Sequence, residues 1–133
     1  MFLAARILLI IDALLYLLVG LGVAIQPQIM EGLGISLISA TGITTTRTWG
    51  ALFAGSGLTA LLTATRRDWV IVGLLLIVIT AACILVVRVY GIWIDGIEPR
   101  QWVELRREAI GCAIGLTGLG MALTKRRPVA SEF

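Results

Sequence analysis

Residues 69–94 read WVIVGLLLIVITAACILVVRVYGIWI, and Arg88 is the one charged side chain among them. An α-helix needs about 20 mostly apolar residues to cross the hydrocarbon core of a bilayer, and this stretch exceeds that length. The composition of the whole chain agrees, since 59% of its 133 residues are hydrophobic, 14% are charged and the mean hydropathy is +1.00. Soluble domains are about 45–50% apolar and about 25% charged. The sequence therefore indicates an integral membrane protein and excludes a disordered chain.

Three further apolar stretches complete a set of four predicted membrane spans. The first has no clear small-residue cleavage site and is longer than the apolar part of a signal peptide, so we interpret it as a span. The fold class is therefore all-α, an integral membrane four-helix bundle. The predicted spans are residues 2–25, 48–64, 69–94 and 108–123. They predict a single domain over residues 1–127 and a disordered tail at 128–133.

The first connection is too apolar to be a free loop. It lies between the first two predicted spans and carries Ile29, Met30 and Leu33. Such a segment predicts a short interfacial helix. The threonines at 44–46 that follow are suitable N-caps, so we expect the second span to begin just after them.

Positive charge is concentrated at the ends of the predicted spans. The chain has 11 Lys and Arg against 8 Asp and Glu, a net charge of +3. In a membrane protein this excess indicates orientation rather than nucleic-acid binding, because cytoplasmic loops are enriched in Lys and Arg. Placing both termini on the cytoplasmic side gathers six of these residues there: Arg6, Arg66, Arg67, Lys125, Arg126 and Arg127. We expect a multi-pass protein of the bacterial inner membrane whose partners include membrane lipids but no nucleic acid.

The sequence predicts no metal site and no cofactor. It has no His, and its two cysteines, Cys83 and Cys112, lie far apart in apolar runs. Zinc and haem sites need Cys or His ligands at suitable spacing. We interpret both cysteines as small buried hydrophobic residues, with a disulfide between them as the alternative.

Small residues recur at every fourth position in two of the predicted spans. Such rows let helix backbones approach closely in a bilayer, where lipid supplies no hydrophobic drive for helix association. We therefore expect them at helix contacts rather than at a ligand. The rows are Gly50/Ala54, Ala51/Gly55 and Gly111/Gly115.

Asp12 is the sharpest polar feature, because it lies near the middle of the first predicted span. An acidic residue at mid-bilayer costs about 2.5–3.5 kcal/mol on insertion scales, so it normally faces protein or a cavity. Loss of hydration favours the neutral acid, which can donate a proton or a hydrogen bond. Tyr16 follows one turn later and is placed to share a hydrogen bond with it. The alternative is a purely structural hydrogen bond between helices.

A second group of charged and aromatic residues lies near the predicted non-cytoplasmic face of the membrane. Arg47 and Arg88 each need a partner there, because isolated buried charges are too costly. Glu108 and Asp95 are the candidate partners. The alternative is that the aromatic residues only mark the membrane interface and that arginine reaches out of it. Together with Tyr16 of the first span, members of this group are the candidate binding residues. The full set is Tyr16, Arg47, Trp49, Arg88, Tyr90, Trp93 and Asp95.

Four sequence features carry a resemblance to known proteins. They are the RTWG motif at 47–50 with the Gly/Ala run to Gly57, the RRD turn at 66–68, Arg88 with Gly91, and Glu108. In these features the chain resembles an uncharacterised family of small four-span bacterial membrane proteins, a domain of unknown function. The resemblance implies the four-helix fold and singles out Arg47, Arg88 and Glu108. It implies no activity, and Asp12 is not part of its pattern.

A weaker likeness, in design rather than in motif, is to small integral-membrane terpene cyclases. It implies a lipid-soluble isoprenoid substrate, a desolvated carboxyl that protonates it, and aromatic faces that steady a developing carbocation. By this likeness we expect acid-catalysed cyclisation or isomerisation of a prenyl epoxide or alkene. Asp12 and Glu108 are the candidate catalytic acids.

Two other functions stay open. In the first, the chain is a non-enzymatic accessory subunit or a lipid-binding protein, within a homo-oligomer or a larger membrane complex. In the second, it is a small proton-coupled exporter that works as a dimer. A cavity that meets both carboxyls favours the enzyme. A bundle filled by its own side chains beside Asp12 favours the non-enzymatic function.

Overall fold

The computed structural model describes residues 2–95 and 99–124, and these residues form helices and turns without a strand. The all-α fold class is therefore confirmed. Four α-helices follow one another: α1 (Phe2–Ile25), α2 (Ala40–Thr65), α3 (Val70–Asp95) and α4 (Pro99–Leu123). Two short 3₁₀-helices lie between them, at Pro27–Leu33 and at Arg67–Trp69. The predicted tail at 128–133 lies outside the described residues.

Helix α1 is the central element, because it contacts α2, α3 and α4. Helices α2 and α3 also contact each other, as do α3 and α4. Most of the buried core residues are small or medium-sized, so the helices lie close together. They are Ala5, Leu9, Ala13, Ala60, Ala64, Val70, Ile71, Leu74, Ile77 and Ala122.

The contact between α1 and α2 is made through glycines. A Cβ built at Gly50 would lie 2.5 Å from the backbone nitrogen of Ala24, and one at Gly57 would lie 2.5 Å from that of Leu17. No side chain fits at either position, so the two backbones touch. Since the later residue of α2 meets the earlier residue of α1, the two helices are antiparallel.

The predicted rows of small residues divide between the inside and the outside of the fold. Gly50 and Ala54 are buried in the α1–α2 contact, as expected. Gly115 is packed against α3, since a Cβ there would lie 3.1 Å from Val78. In contrast, Gly55 and Gly111 have no heavy atom within 4 Å of a Cβ position, so these two glycines are not at helix contacts in the described fold.

Two helical stretches are long and apolar enough to cross a membrane. They are Phe2–Ile25, with a mean hydropathy of 2.6, and Arg67–Ile94, with 3.3. Only 22% and 28% of their most apolar windows are buried inside the fold, so most of their apolar surface faces outward. That distribution is unlike the core helix of a soluble protein, whose apolar face is covered by the rest of the chain.

Helix α2 begins well before the predicted residue 48. Ser39 is its N-cap, and the Ser39 hydroxyl accepts a hydrogen bond from the backbone N–H of Gly42 at 3.0 Å. The prediction that the threonines at 44–46 cap the span is wrong, because they lie inside the helix. Thr46 instead donates its hydroxyl hydrogen to the carbonyl oxygen of Gly42, 2.9 Å away. Such bonds satisfy the hydroxyl within the helix and allow it to continue.

The predicted short helix in the first connection is present as the 3₁₀-helix Pro27–Leu33. It ends at Gly34, whose φ of 86° lies in the left-handed region that favours glycine. Its position at a membrane interface stays a prediction. Helix α4 also begins earlier than predicted, at Pro99. Proline is tolerated in the first turn, because the backbone N–H that it lacks would have no partner within the helix there.

Candidate functional site

Asp12 lies on the packed face of α1, as its expected contact with protein requires. The same face buries Ala5 and Leu9, and Asp12 itself is only 2% exposed. A Cβ built at Gly115 of α4 would lie 3.4 Å from Oδ2 of Asp12, so the small residue makes room for the carboxyl. Oδ2 has no hydrogen-bond partner among the described residues. Unpartnered buried polar atoms are rare and costly, which makes Asp12 a candidate functional residue.

Tyr16 continues the same face of α1 one turn later. Its ring centroid lies 5.7 Å from that of Phe53 in α2. Oδ2 of Asp12 accepts no hydrogen bond from it, contrary to the sequence-based expectation. Tyr16 therefore contacts α2 through its ring.

Arg88 of α3 and Glu108 of α4 form a bidentate ion pair. Nε of Arg88 donates to Oε1 and Oε2 at 2.9 and 2.7 Å, and Nη2 donates to Oε1. The side chains of Arg88 and Glu108 are 33% and 19% exposed, so the ion pair is partly buried. One of the expected pairings is thus confirmed. Both oxygens of Glu108 are therefore engaged by Arg88, which leaves Asp12, whose Oδ2 has no partner among the described residues, as the stronger candidate for a proton donor.

A cavity of about 490 Å³ lies beside this ion pair. Among the described residues, six of α3 line it together with Gln101 of α4, and we call this cavity the α3–α4 groove. Its α3 wall consists of Cys83, Ile84, Val87, Arg88, Gly91 and Ile92. Asp12 and Glu108 are not among its lining residues, so this groove does not bring the two carboxyls together.

The described residues contain no group of three or more Cys, Asp or Glu side chains that could hold a metal ion. Cys83 and Cys112 are both free thiols, so they do not form the alternative disulfide. Cys112 is buried as predicted, whereas the prediction is wrong for Cys83, which is exposed and lines the α3–α4 groove.

Comparison with known proteins adds one finding. The model of a family described as a domain of unknown function, DUF4345, matches residues 4–119. The chain belongs to the DUF4345 family. This match confirms the expected membership in an uncharacterised family. No curated protein and no solved structure matches the chain.

The resemblance singled out three residues of this DUF4345 protein, and the structure joins two of them. Arg88 and Glu108 form the ion pair across α3 and α4. Arg47 is exposed on α2 and makes no ion pair with a described residue. Of the two partners predicted for Arg47, Glu108 is bound by Arg88 instead, whereas the side chain of Asp95 lies outside the described residues.

The predicted aromatic binding residues lie on the outside of the DUF4345 fold. Trp49, Tyr90 and Trp93 are all exposed, and the rings of the last two are 6.4 Å apart. The structure does not gather them around Asp12. Asp95 ends α3, and its side chain lies outside the described residues.

Sequence reasoning missed most of the α3–α4 groove. Cys83, Val87 and Gly91 follow one another at every fourth position, with Ile84, Arg88 and Ile92 beside them in the same rhythm. This spacing places all six on one face of a helix. The feature of the sequence that could have indicated the groove is Arg88, a charged residue on an apolar helical face, with Gly91 one turn later.

A double-mutant cycle should separate this ion pair from an exposed one. We expect Arg88→Gln or Glu108→Gln alone to destabilise the protein by about 2–3 kcal/mol, because each leaves a partly buried charge unpaired. The coupling energy of the double variant should be about 1–2 kcal/mol. Thermal unfolding in detergent measures both quantities.

The matched control is the exposed pair between Arg107 and Glu104, whose Nη1 and Oε1 lie 2.9 Å apart. An exposed pair on one helix contributes about 0.3–0.5 kcal/mol. Equal coupling energies for the two pairs would contradict a special role for Arg88 and Glu108.

Proposed function

We propose that this DUF4345 protein is a four-span protein of the bacterial inner membrane that binds a lipid-soluble small molecule in the α3–α4 groove. Both termini then lie on the cytoplasmic side. The two apolar stretches described above support two of the spans. Helices α2 and α4 have 26 and 25 residues. At 1.5 Å per residue each is about 38 Å long, which exceeds the hydrocarbon thickness of about 30 Å.

The observation that carries the binding proposal is the chemistry of the α3–α4 groove. Its volume of about 490 Å³ falls within the range of about 300–1,000 Å³ that is usual for small-molecule sites. The described residues of its α3 wall are apolar except for Arg88, which provides hydrogen-bond donors for a polar head group. Val87 in that wall is 68% exposed, so the groove opens outward, where a bilayer would lie. An isoprenoid or a similar amphiphile can enter from the lipid.

Filling the groove should weaken the binding of its ligand. We expect Val87→Trp to weaken the binding of farnesol by at least tenfold, about 1.4 kcal/mol, because the indole occupies the apolar wall. Native mass spectrometry of the protein in nanodiscs measures the affinity.

The matched control is Val86→Trp. Val86 is also 68% exposed and precedes Val87, but it does not line the groove. Its affinity for farnesol should stay within twofold of the wild type. Equal losses in the two variants would reject the proposed function, as would a wild type that binds neither farnesol nor another amphiphile with the same tail.

The second candidate function is acid-catalysed cyclisation or isomerisation of an isoprenoid. The buried, unpartnered Oδ2 of Asp12 favours it, because a structural role would have given this atom a partner. Asp12 donates a proton to the epoxide oxygen or alkene carbon of the substrate, and the carbocation that forms later returns a proton to the carboxylate. This candidate requires that the α1–α4 contact open at Gly115 to admit the substrate.

A further inference from the structure

We propose that the α3–α4 groove selects an isoprenoid with an uncharged head group, such as a quinone or an alcohol, and excludes prenyl phosphates. The inference rests on the proposed function and names its ligand class. It follows from the state of Arg88, which is the one charged residue among the described residues that line the groove.

The charge of Arg88 is already cancelled inside the protein. Its Nε and Nη2 both donate to the carboxylate of Glu108, at distances down to 2.7 Å for Nε. A phosphate that approaches Arg88 therefore also meets the negative charge of Glu108 at close range. It must in addition lose its hydration on entering an apolar groove. An anionic head group therefore gains little attraction from Arg88 and loses the favourable free energy of its hydration.

A neutral oxygen atom of a head group can instead accept a hydrogen bond from Arg88 without repulsion between its charge and that of Glu108. A guanidinium has five N–H donors in a fixed planar arrangement, and the pair with Glu108 uses the one on Nε and one of the two on Nη2. The Nη1 group stays outside the pair and can donate to a carbonyl or hydroxyl oxygen. The apolar wall extends from Cys83 to Ile92, about 13 Å along α3 at 1.5 Å per residue. This wall accommodates the hydrocarbon chain of the same molecule.

Three probes with the same tail test the selectivity: farnesol, a farnesyl-substituted benzoquinone and farnesyl monophosphate. Affinities are measured for the full chain in phosphatidylcholine nanodiscs. We expect the wild type to bind one or both neutral probes at least tenfold more tightly than the monophosphate. Glu108→Gln should raise the affinity for the monophosphate at least tenfold, because the charge of Arg88 becomes available. The affinities for the neutral probes should change by less than threefold.

The control is Glu104→Gln, which removes the same charge from the other ion pair and should leave the preference unchanged. If Glu108→Gln does not fold, the double variant Arg88→Gln/Glu108→Gln replaces it, and it should still reject the monophosphate while binding the neutral probes more weakly. A wild type that prefers the monophosphate overturns the inference but not the proposed function. An unchanged monophosphate affinity in Glu108→Gln, or a double variant that binds the monophosphate, also overturns it. Binding of none of the probes by the wild type rejects the proposed function itself.

Discussion

Replacing Gly57 with alanine should destabilise the protein by about 3 kcal/mol, at the upper end of the usual cost of overpacking a core. The new Cβ would lie 2.5 Å from the backbone nitrogen of Leu17 and 2.6 Å from the carbonyl oxygen of Ala13. Both atoms belong to the backbone of α1, which cannot rotate away as a side chain can. Helices α1 and α2 must therefore separate along their contact. We expect the thermal midpoint of unfolding to fall by about 10 °C.

Gly55→Ala is the control on the same helix. Gly55 is exposed, and a Cβ there has no heavy atom within 4 Å. Alanine favours a helix over glycine by up to about 1 kcal/mol, so this variant should be as stable as the wild type or slightly more so. Equal losses of stability at the two positions would mean that helix propensity, not the α1–α2 contact, controls the result.

Replacing Asp12 should separate stability from function. We expect Asp12→Val to raise the free energy of unfolding by about 2 kcal/mol, because it removes a buried oxygen that has no partner among the described residues. Asp12→Asn keeps the shape of the side chain but carries no acidic proton. If Asp12 is the catalytic acid, turnover of a prenyl epoxide is lost in both variants while both stay folded.

Thermal unfolding and product analysis by mass spectrometry measure these two effects. Asp68→Asn is the control, since Asp68 is an exposed acid outside α1 and should affect neither. A loss of stability in Asp12→Val would show that the carboxyl has a stabilising partner. Full turnover in Asp12→Asn would reject Asp12 as the proton donor and leave ligand binding as the function.

Helix bounds were predictable where apolar runs end abruptly, and less so where polar residues continue a helix. The predicted stretch 2–25 coincides with α1, and 69–94 differs from α3 by one residue at each end. The start of α2 was missed because threonines are common caps, whereas here Thr46 and Thr48 bond to carbonyl oxygens four residues earlier. Their polarity does not interrupt the helix once those bonds form.

The candidate site was predictable in its single residues but not in its grouping. Burial of Asp12 followed from the cost of a carboxyl in hydrocarbon, and the need of Arg88 for a partner followed from the cost of an isolated charge. The groove depends on how far α3 and α4 stand apart near Gly91, which no local pattern determines. Exposed Trp49 and Trp93 show that aromatic residues alone do not mark a binding site.

The central position of α1 has a consequence for biosynthesis. The ribosome makes α1 before α4, but Gly115, which lies against Asp12, belongs to α4. Until α4 has been made and has packed, the carboxyl of a nascent chain has nothing from that helix beside it. A chain that stops before α4 therefore leaves uncovered an acidic residue that the folded helices conceal.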